Sequence, residues 1–395
     1  MYKIQTLDKI SATGLNLLPR EKYEAASEII NPDAIILRSF NMHEMEIPES
    51  VLAIARAGAG INNIPIPKCT DRGIVVFNTP GANANSVKEI VLASIIISAR
   101  NISNAITWTK SLITADDETP KLIEKGKSLF AGAEIKGKRL GVIGLGSIGV
   151  MVANDAAALG MKVTGYDPFI SVESAWGLSR DVKKGITLDN VLANSDFITM
   201  HMPLNDETKG ILSKNKFRTM KKGVKILNFA RGGLVNNSDL KEAIAEGIVS
   251  CYVTDFPEED LIKTDNIICI PHLGASTAEA EENCAEMAAQ QIMDFLETGN
   301  IKNSVNFPDC RMDFNGKTRL SITNKNVPNI IAQISSALAE NKINISEYLN
   351  KHRNDVAYNL VDTDSDISKD VVNKLKTIEG IISVRKIEVQ KHSFF

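Results

Sequence analysis

Gly144-Leu145-Gly146-Ser147-Ile148-Gly149 constrains this chain more than any other stretch. It follows the apolar run Arg139–Ile143 and opens a helical pattern over residues 148–159. A G-x-G-x-x-G carries little alone. A strand before it and a helix after it are the context that gives it meaning. Gly144 allows the tight turn, Gly146 lets the backbone approach a pyrophosphate, and Gly149 lets helix and strand pack closely. Ser147 and Ile148 open the helix, whose free N–H groups and positive dipole end suit phosphates. The next strand, Lys162–Tyr166, ends at Asp167, 21 residues after Gly146. That is the distance expected of the acid that binds the adenosine ribose hydroxyls. A carboxylate there repels a 2′-phosphate, and Pro168 and Phe169 supply no arginine to reverse the preference. The expected cofactor is therefore NAD. The plain alternative is a glycine-rich turn with a capping aspartate.

At 395 residues the chain is too long for one ordinary core. Apolar runs at residues 34–37, 51–55 and 74–77 alternate with helical patterns, which predicts a parallel sheet covered on both faces. A helical pattern over 86–109 has the length of an element that joins two domains. A second series of β-α units starts at Lys138, with strands at 197–200, 225–228, 251–253 and 267–270. A long helix over 275–297 stops at Thr298-Gly299-Asn300. Residues 301–316 lack periodicity and read as a linker. Beyond it come a strand (320–323), a helix (327–341), two strands (343–349, 357–361), a helix (367–377) and a strand (381–389). That β-α-β-β-α-β order is the ferredoxin-like motif. The expected fold class is α/β: two doubly wound parallel-sheet, Rossmann-like domains plus a C-terminal ferredoxin-like domain.

The net charge is −3, with acids and bases mixed along the chain, which argues against a nucleic-acid partner. The N-terminus has no apolar core of a secretory signal, and the apolar stretch 90–99 is too short to span a bilayer. No membrane association is expected. Five scattered cysteines without a C-x-x-C suit reduced thiols in the cytoplasm. Five histidines, none in a ligand spacing, give no expectation of a metal.

Three polar residues stand beyond the carboxyl ends of expected parallel strands, the edge where ligands bind in open α/β sheets. Arg231 lies in NFARGG, Glu259 in DFPEE and His272 in PHLG. Oxidation of a 2-hydroxy acid needs a base for the hydroxyl proton, and a neutral imidazole suits that near pH 7. It needs a carboxylate that raises the imidazole pKa and fixes its orientation. It also needs a cation for the substrate carboxylate, which Arg grips with two parallel hydrogen bonds. His272, Glu259 and Arg231 fit these roles in that order. Taken singly, each reads equally well as a packed histidine, a solvated acid or a surface charge.

The ordered motifs GLGSIG, YDPF, HMPLNDETKGIL, NFARGG, DFPEE and PHLGAST resemble the D-isomer-specific 2-hydroxyacid dehydrogenases. The resemblance extends upstream through RAGAGINNIP and NTPGANANSVKEIV. It implies Arg231, Glu259 and His272 as the catalytic set. Besides the glycine turn and Asp167, it implies cofactor contacts at Pro203, Phe229, Ala230, Gly274 and Ala275. The family usually has Asp at the position of Thr254, so Asp255 is expected to take over the contact with the nicotinamide carboxamide. The resemblance also implies a split substrate-binding domain (1–92 and 285–306), an NAD-binding domain (93–284), a linker (307–317) and a last domain (318–395). On the substrate side, N–H groups around Ala57 and Gly58 would meet the carboxylate, and Asn83 matches a substrate-side asparagine. Arg38 and Ser39 would meet a substrate phosphate.

The run ITNKNVPNIIAQISSALAENKINISEYL resembles the ACT regulatory domain. Family members carrying that extension act on a phosphorylated 2-hydroxy acid and, in bacteria, respond to L-serine. Asn324, Asn326 and Asn344 are the implied effector contacts; capping of the helix and turn is the other reading of these asparagines. Asn324 stands where a His is usual and Asn329 where a Gly is usual. A homodimer or homotetramer is implied. The rival readings are a glyoxylate or hydroxypyruvate reductase, which generally lacks the extension, and a non-catalytic NAD-sensing corepressor.

Overall fold

Apolar runs too short for helices become the inner strands of parallel sheets, where both faces are covered. The computed structural model describes residues 1–112 and 119–388. They fall into two compact units, Met1–Asn83 with the chain from Glu281 onward, and Ala84–Ala280.

In the first unit, β1 (Tyr2–Thr6), β2 (Tyr23–Ala26), β3 (Ala34–Leu37), β4 (Ala53–Arg56) and β5 (Val75–Phe77) form a parallel sheet ordered β2-β1-β3-β4-β5. Ile4, Ile36, Ala55 and Phe77 pack against Ala285, Ala288, Ile292 and Phe295 of the helix Ala278–Thr298. That helix stops where expected, at Gly299 with φ 76°. The strands β1 and β2 were not anticipated. Lys3 and Gln5 interrupt the first, and three of the four residues of the second are exposed, so neither makes an apolar run.

The second unit holds β6 (Arg139–Ile143), β7 (Lys162–Tyr166), β8 (Lys183–Lys184), β9 (Phe197–Met200), β10 (Val224–Asn228), β11 (Val249–Thr254) and β12 (Ile267–Cys269). They form one parallel sheet ordered β12-β11-β10-β9-β6-β7-β8. The chain runs outward in both directions from the central pair β6 and β9, which makes the topological switch point where such sheets bind ligands. Val91, Ile95, Val152 and Ala156 cover one face, and Phe217, Leu234 and Leu240 cover the other. The single helix expected over 86–109 is instead two, Ala84–Ala99 and Ile102–Ser111, bent by 65°. The break falls at Asn101, whose φ of 51° is left-handed, a conformation asparagine tolerates better than most residues. Among the described residues no single helix is long and apolar enough to cross a membrane.

The C-terminal sheet belongs to the first unit. β13 (Thr318–Lys325), β14 (Ile345–Arg353), β15 (Val356–Thr363) and β16 (Ile381–Ile387) are antiparallel in the order β14-β15-β13-β16. The helices Ile330–Glu340 and Lys369–Lys376 pack Ile334, Leu338, Val371 and Leu375 on Leu320, Ile322 and Val361. This is the ferredoxin-like arrangement. The last strand ends at Ile387; Val389, the expected end, lies outside the described residues. Residues 307–317 are not a free linker. Phe307, Cys310 and Met312 are buried in the core of the first sheet, and Tyr358 and Leu360 of β15 join them. Asn306 fixes the strap, accepting from Val76 N at 2.9 Å and donating to Ile74 O at 2.9 Å. Isolated apolar residues among Asn, Asp and Pro carry no period, which hid this packing from the sequence.

Candidate active site

The three glycines of the turn after β6 have separate tasks. Gly144 has φ 90°, and a Cβ there would lie 2.6 Å from His201 O. A Cβ on Gly149 would lie 2.0 Å from Gly144 O, so the helix can approach the turn only without a side chain. A Cβ on Gly146 would meet nothing within 4 Å. Gly146 is also the N-cap of the helix Ser147–Ala158, with no side-chain cap and no acid in the first turn. Ser147 is exposed and Ile148 half-buried. A bare helix N-terminus behind an open glycine fits a pyrophosphate. Asp167, just past β7, accepts from Leu145 N through Oδ2 and from Phe169 N through Oδ1, both at 2.8 Å. These bonds hold its carboxylate beside the turn.

On the other side of the switch point, β9 leads to His201, whose Nε2 lies 2.9 Å from Thr199 Oγ1. Its Nδ1 is buried without a partner, and burial pushes the imidazole pKa down to about 3, so the ring stays neutral. Sequence reasoning missed it, although the HMP run contains it. Pro203 is exposed, and its carbonyl accepts from Thr208 Oγ1 at 2.7 Å.

The chemistry-bearing side chains stand on loops after β10, β11 and β12, which are neighbours in the sheet. Asn228 folds the first loop back, donating to Arg231 O at 2.9 Å and accepting from Ala230 N at 3.2 Å. Phe229 is buried, Ala230 half-buried, and the Arg231 side chain exposed, with Nη1 donating to Ala230 O at 2.6 Å. On the third loop, His272 is exposed and meets the edge of Phe256 with ring centroids 5.0 Å apart. Gly274 is buried and Ala275 half-buried.

The expected partner acid of this histidine is engaged elsewhere. Glu259 begins the short helix Glu259–Ile262, is 84% exposed and pairs with Lys263 one turn on. A carboxylate in a first helical turn, with a cation four residues later, is favoured where it stands. Asp255 is instead 1% exposed. Burial holds its carboxyl above the usual carboxylate range, and His272, the Gly274 N–H and Arg231 offset that only in part. Thr254, at the family's usual aspartate position, is wholly buried and accepts from Phe256 N at 3.1 Å.

The substrate-side residues named from sequence lie in the first unit. Arg38, at the end of β3, forms an ion pair with Glu281 at 2.5 Å. Asp8 Oδ2 accepts from the N–H groups of Arg38, Ser39 and Phe40, each at 2.8 Å. Ala57 and Gly58 do not present their N–H groups outward: Ala57 N donates to Leu37 O and Gly58 N to Arg56 O, both at 2.8 Å. Arg56 binds the RAGAG turn to β3 through Arg38 O at 2.9 Å and Gly60 O at 2.8 Å. Arg56 and Asp8 were both missed, though Arg56 opens a quoted motif. Asn83 is half-buried.

The three C-terminal asparagines are not together. Asn324 is 2% exposed, donates to Lys325 O and accepts from Asn359 Nδ2. Asn326 is exposed and donates to Asn354 O at the β14–β15 turn. Asn344, also exposed, donates to Asp364 Oδ2 at the other end of the same strands.

Residues 92–274 match the family model described as the D-isomer specific 2-hydroxyacid dehydrogenase, NAD binding domain. A D-3-phosphoglycerate dehydrogenase of Archaeoglobus fulgidus is 36% identical over 317 residues, covering 77% of this chain and 58% of that protein. One of Bacillus subtilis is 32% identical, covering 79% of this chain and 60% of that protein. The chain thus spans about three fifths of the length of these curated relatives. The NAD+-bound 3-phosphoglycerate dehydrogenase of Entamoeba histolytica superposes with a TM-score of 0.61 at 27% identity, over 77% of this chain and 98% of that one. Residues 92–274 are therefore similar to the NAD-binding domain of the D-isomer-specific 2-hydroxyacid dehydrogenases, and the chain is similar to D-3-phosphoglycerate dehydrogenases over about three fifths of their length.

Proposed function

We propose that this protein is an NAD-dependent D-3-phosphoglycerate dehydrogenase, oxidising 3-phosphoglycerate to 3-phosphohydroxypyruvate in the first step of L-serine synthesis. One observation carries the reading. The open Gly146 turn with Asp167, and the Arg231 and His272 side chains, all stand at the carboxyl edge of one parallel sheet. The Gly146 turn and Asp167 would hold NAD, whose nicotinamide would supply the acceptor for the C2 hydride. His272 takes the hydroxyl proton as the neutral base. Arg231 holds the substrate carboxylate with two parallel hydrogen bonds, and Phe256 sets the tilt of the imidazole. In the first unit Arg38 offers a cation for the phosphate and gives up Glu281 to do so; Ser39 and Asn83 add polar contacts. The C-terminal sheet and its two helices serve as an ACT domain for L-serine, in a cytoplasmic homodimer or homotetramer. The test is the appearance of NADH absorbance with purified protein, NAD and D-3-phosphoglycerate. Turnover of glyoxylate or hydroxypyruvate alone, or of no 2-oxo acid, refutes it.

A further inference from the structure

The loops after β11 and β12 are joined by two rungs. In one, Phe256 meets His272 edge-on at 5.0 Å. In the other, the Asp255 carboxylate lies against Gly274, with Oδ2 3.3 Å from where a side chain on Gly274 would begin. The two rungs join the loop that carries Asp255 to the loop that carries His272. Asp255 Oδ1 is buried with no hydrogen-bond partner. An ionised oxygen in that position is costly unless a donor or a cation answers it. The charged groups facing it are His272, from the loop after β12, and Arg231, from the loop after β10. The two other acids of its own loop are engaged elsewhere, Glu258 with Asn237 and Glu259 with Lys263.

Resting on the dehydrogenase reading above, we propose that Asp255, and not Glu259, is the carboxylate that orients His272 and balances the charge it gains with the substrate proton. Asp255 is a positioning residue: it acts through the imidazole and touches no substrate atom. A carboxylate beside an imidazole favours the protonated ring, so the proton leaving the C2 hydroxyl is better held on His272 when Asp255 is ionised. Asp255 stands one residue beyond the usual aspartate position, where the end of β11 turns it toward the β12 loop, while Thr254 takes the position behind it.

The experiment is an NMR titration of the full chain carrying 13C-labelled histidine, with the His272 signal assigned through His272→Gln. In Asp255→Asn the His272 midpoint moves to lower pH; in Glu259→Gln it stays. The reverse pattern overturns the proposal. This readout needs no turnover, so it stands apart from whether 3-phosphoglycerate is the substrate. In the oxidation assay Asp255→Asn moves the acidic limb of the kcat profile to lower pH and lowers the plateau roughly tenfold or more, with NADH affinity kept. Weaker NADH binding with an unmoved limb and midpoint gives Asp255 to the cofactor instead and overturns the proposal. If Asp255→Asn does not fold, the wild-type curve decides. The His272 signal then follows two steps, its own and a smaller one from the facing carboxyl, and a single step overturns the pairing.

Discussion

Arg319 Nε lies 2.6 Å from Asp362 Oδ1 and Nη2 lies 2.8 Å from Oδ2, with both side chains wholly out of solvent. The guanidinium also donates to Thr298 O, Met312 O and Asp313 O. Arg385 reaches Phe295 O and Leu296 O, and Tyr358 OH reaches Gly299 O. The last carbonyls of a helix have no partner within it. Here the C-terminal sheet adds partners at the end of the helix Ala278–Thr298, beside the Gly299 N–H on Phe295 O and the Tyr2 hydroxyl on Leu296 O. Removing one member of a buried ion pair leaves a bare charge and costs about 3–5 kcal/mol. Asp362→Ala is therefore expected to lower the stability of the first unit by that order in denaturant melts. A truncation before Thr318 is expected to leave that unit open to limited proteolysis. A truncated chain as protease-resistant as the intact one refutes the capping role.

The glycine turn predicts two opposite outcomes from one chemical change. Gly149→Ala drives a Cβ into Gly144 O, so the second unit loses stability, which circular dichroism melts will read. Gly146→Ala places its Cβ in open space, so the fold is kept while the approach of a pyrophosphate is blocked. NADH affinity measured by fluorescence should fall at least tenfold, a loss of about 1.4 kcal/mol. Equal NADH affinity in Gly146→Ala and wild type removes that position from the cofactor site.

Asp167 is expected to carry the cofactor choice. Its two oxygens are held by Leu145 N and Phe169 N, with lone pairs left for ribose hydroxyls. Asp167→Ala is expected to narrow the NAD over NADP preference in kcat/KM, chiefly by weakening NAD. Efficient use of NADP by the wild-type protein would contradict the role.

His201 predicts a pH dependence of folding. Its imidazole is held neutral with a pKa near 3 in the folded chain, against about 6.5 when unfolded. The unfolded state therefore binds the proton first. The histidine's contribution to stability is full above pH 6.5 and is lost as pH falls toward 3. Between pH 7 and pH 5 the loss is about 2 kcal/mol. His201→Gln keeps a polar atom for Thr199 and removes the titration, so its urea midpoints should fall less over that interval than those of wild type.

What could be read from the chain follows what has a local period or a fixed spacing. The turn 144–149, Asp167, and the inner strands of both parallel sheets were legible because buried strands are continuous apolar runs. β1 and the strap around Phe307 were not, because their buried residues are single and their partners lie far away in sequence. The site residues divide the same way. Arg231 and His272 were visible from their place after strands. The pairing of Glu259 with Lys263 was not, because it depends on where two exposed side chains of a short helix point. The inward donation of the Ala57 N–H is likewise set by Leu37, twenty residues upstream.

The C-terminal asparagines make the last prediction a conditional one. Asn326 lies at the β14–β15 turn and Asn344 beside Asp364, at the far end of a nine-residue strand. At about 3.3 Å per residue these ends are roughly 26–30 Å apart, far beyond the reach of one amino acid. A small effector can meet both only if two copies pair head to tail, so that Asn326 of one chain faces the partner's Asn344. Serine inhibition is thus expected only in the associated protein and should fade on dilution to monomer. Asn344→Ala and Asn326→Ala should each raise the serine concentration for half inhibition by about tenfold, one lost charge-assisted hydrogen bond. Asn324→Ala should behave differently. Its amide is buried against Asn359, so its loss should lower melting temperature before it changes serine affinity. Calorimetric titration with serine at two protein concentrations, beside an activity titration, checks all three. Serine binding of equal strength in monomer and oligomer would place the effector within one chain and dismiss these asparagines as its contacts.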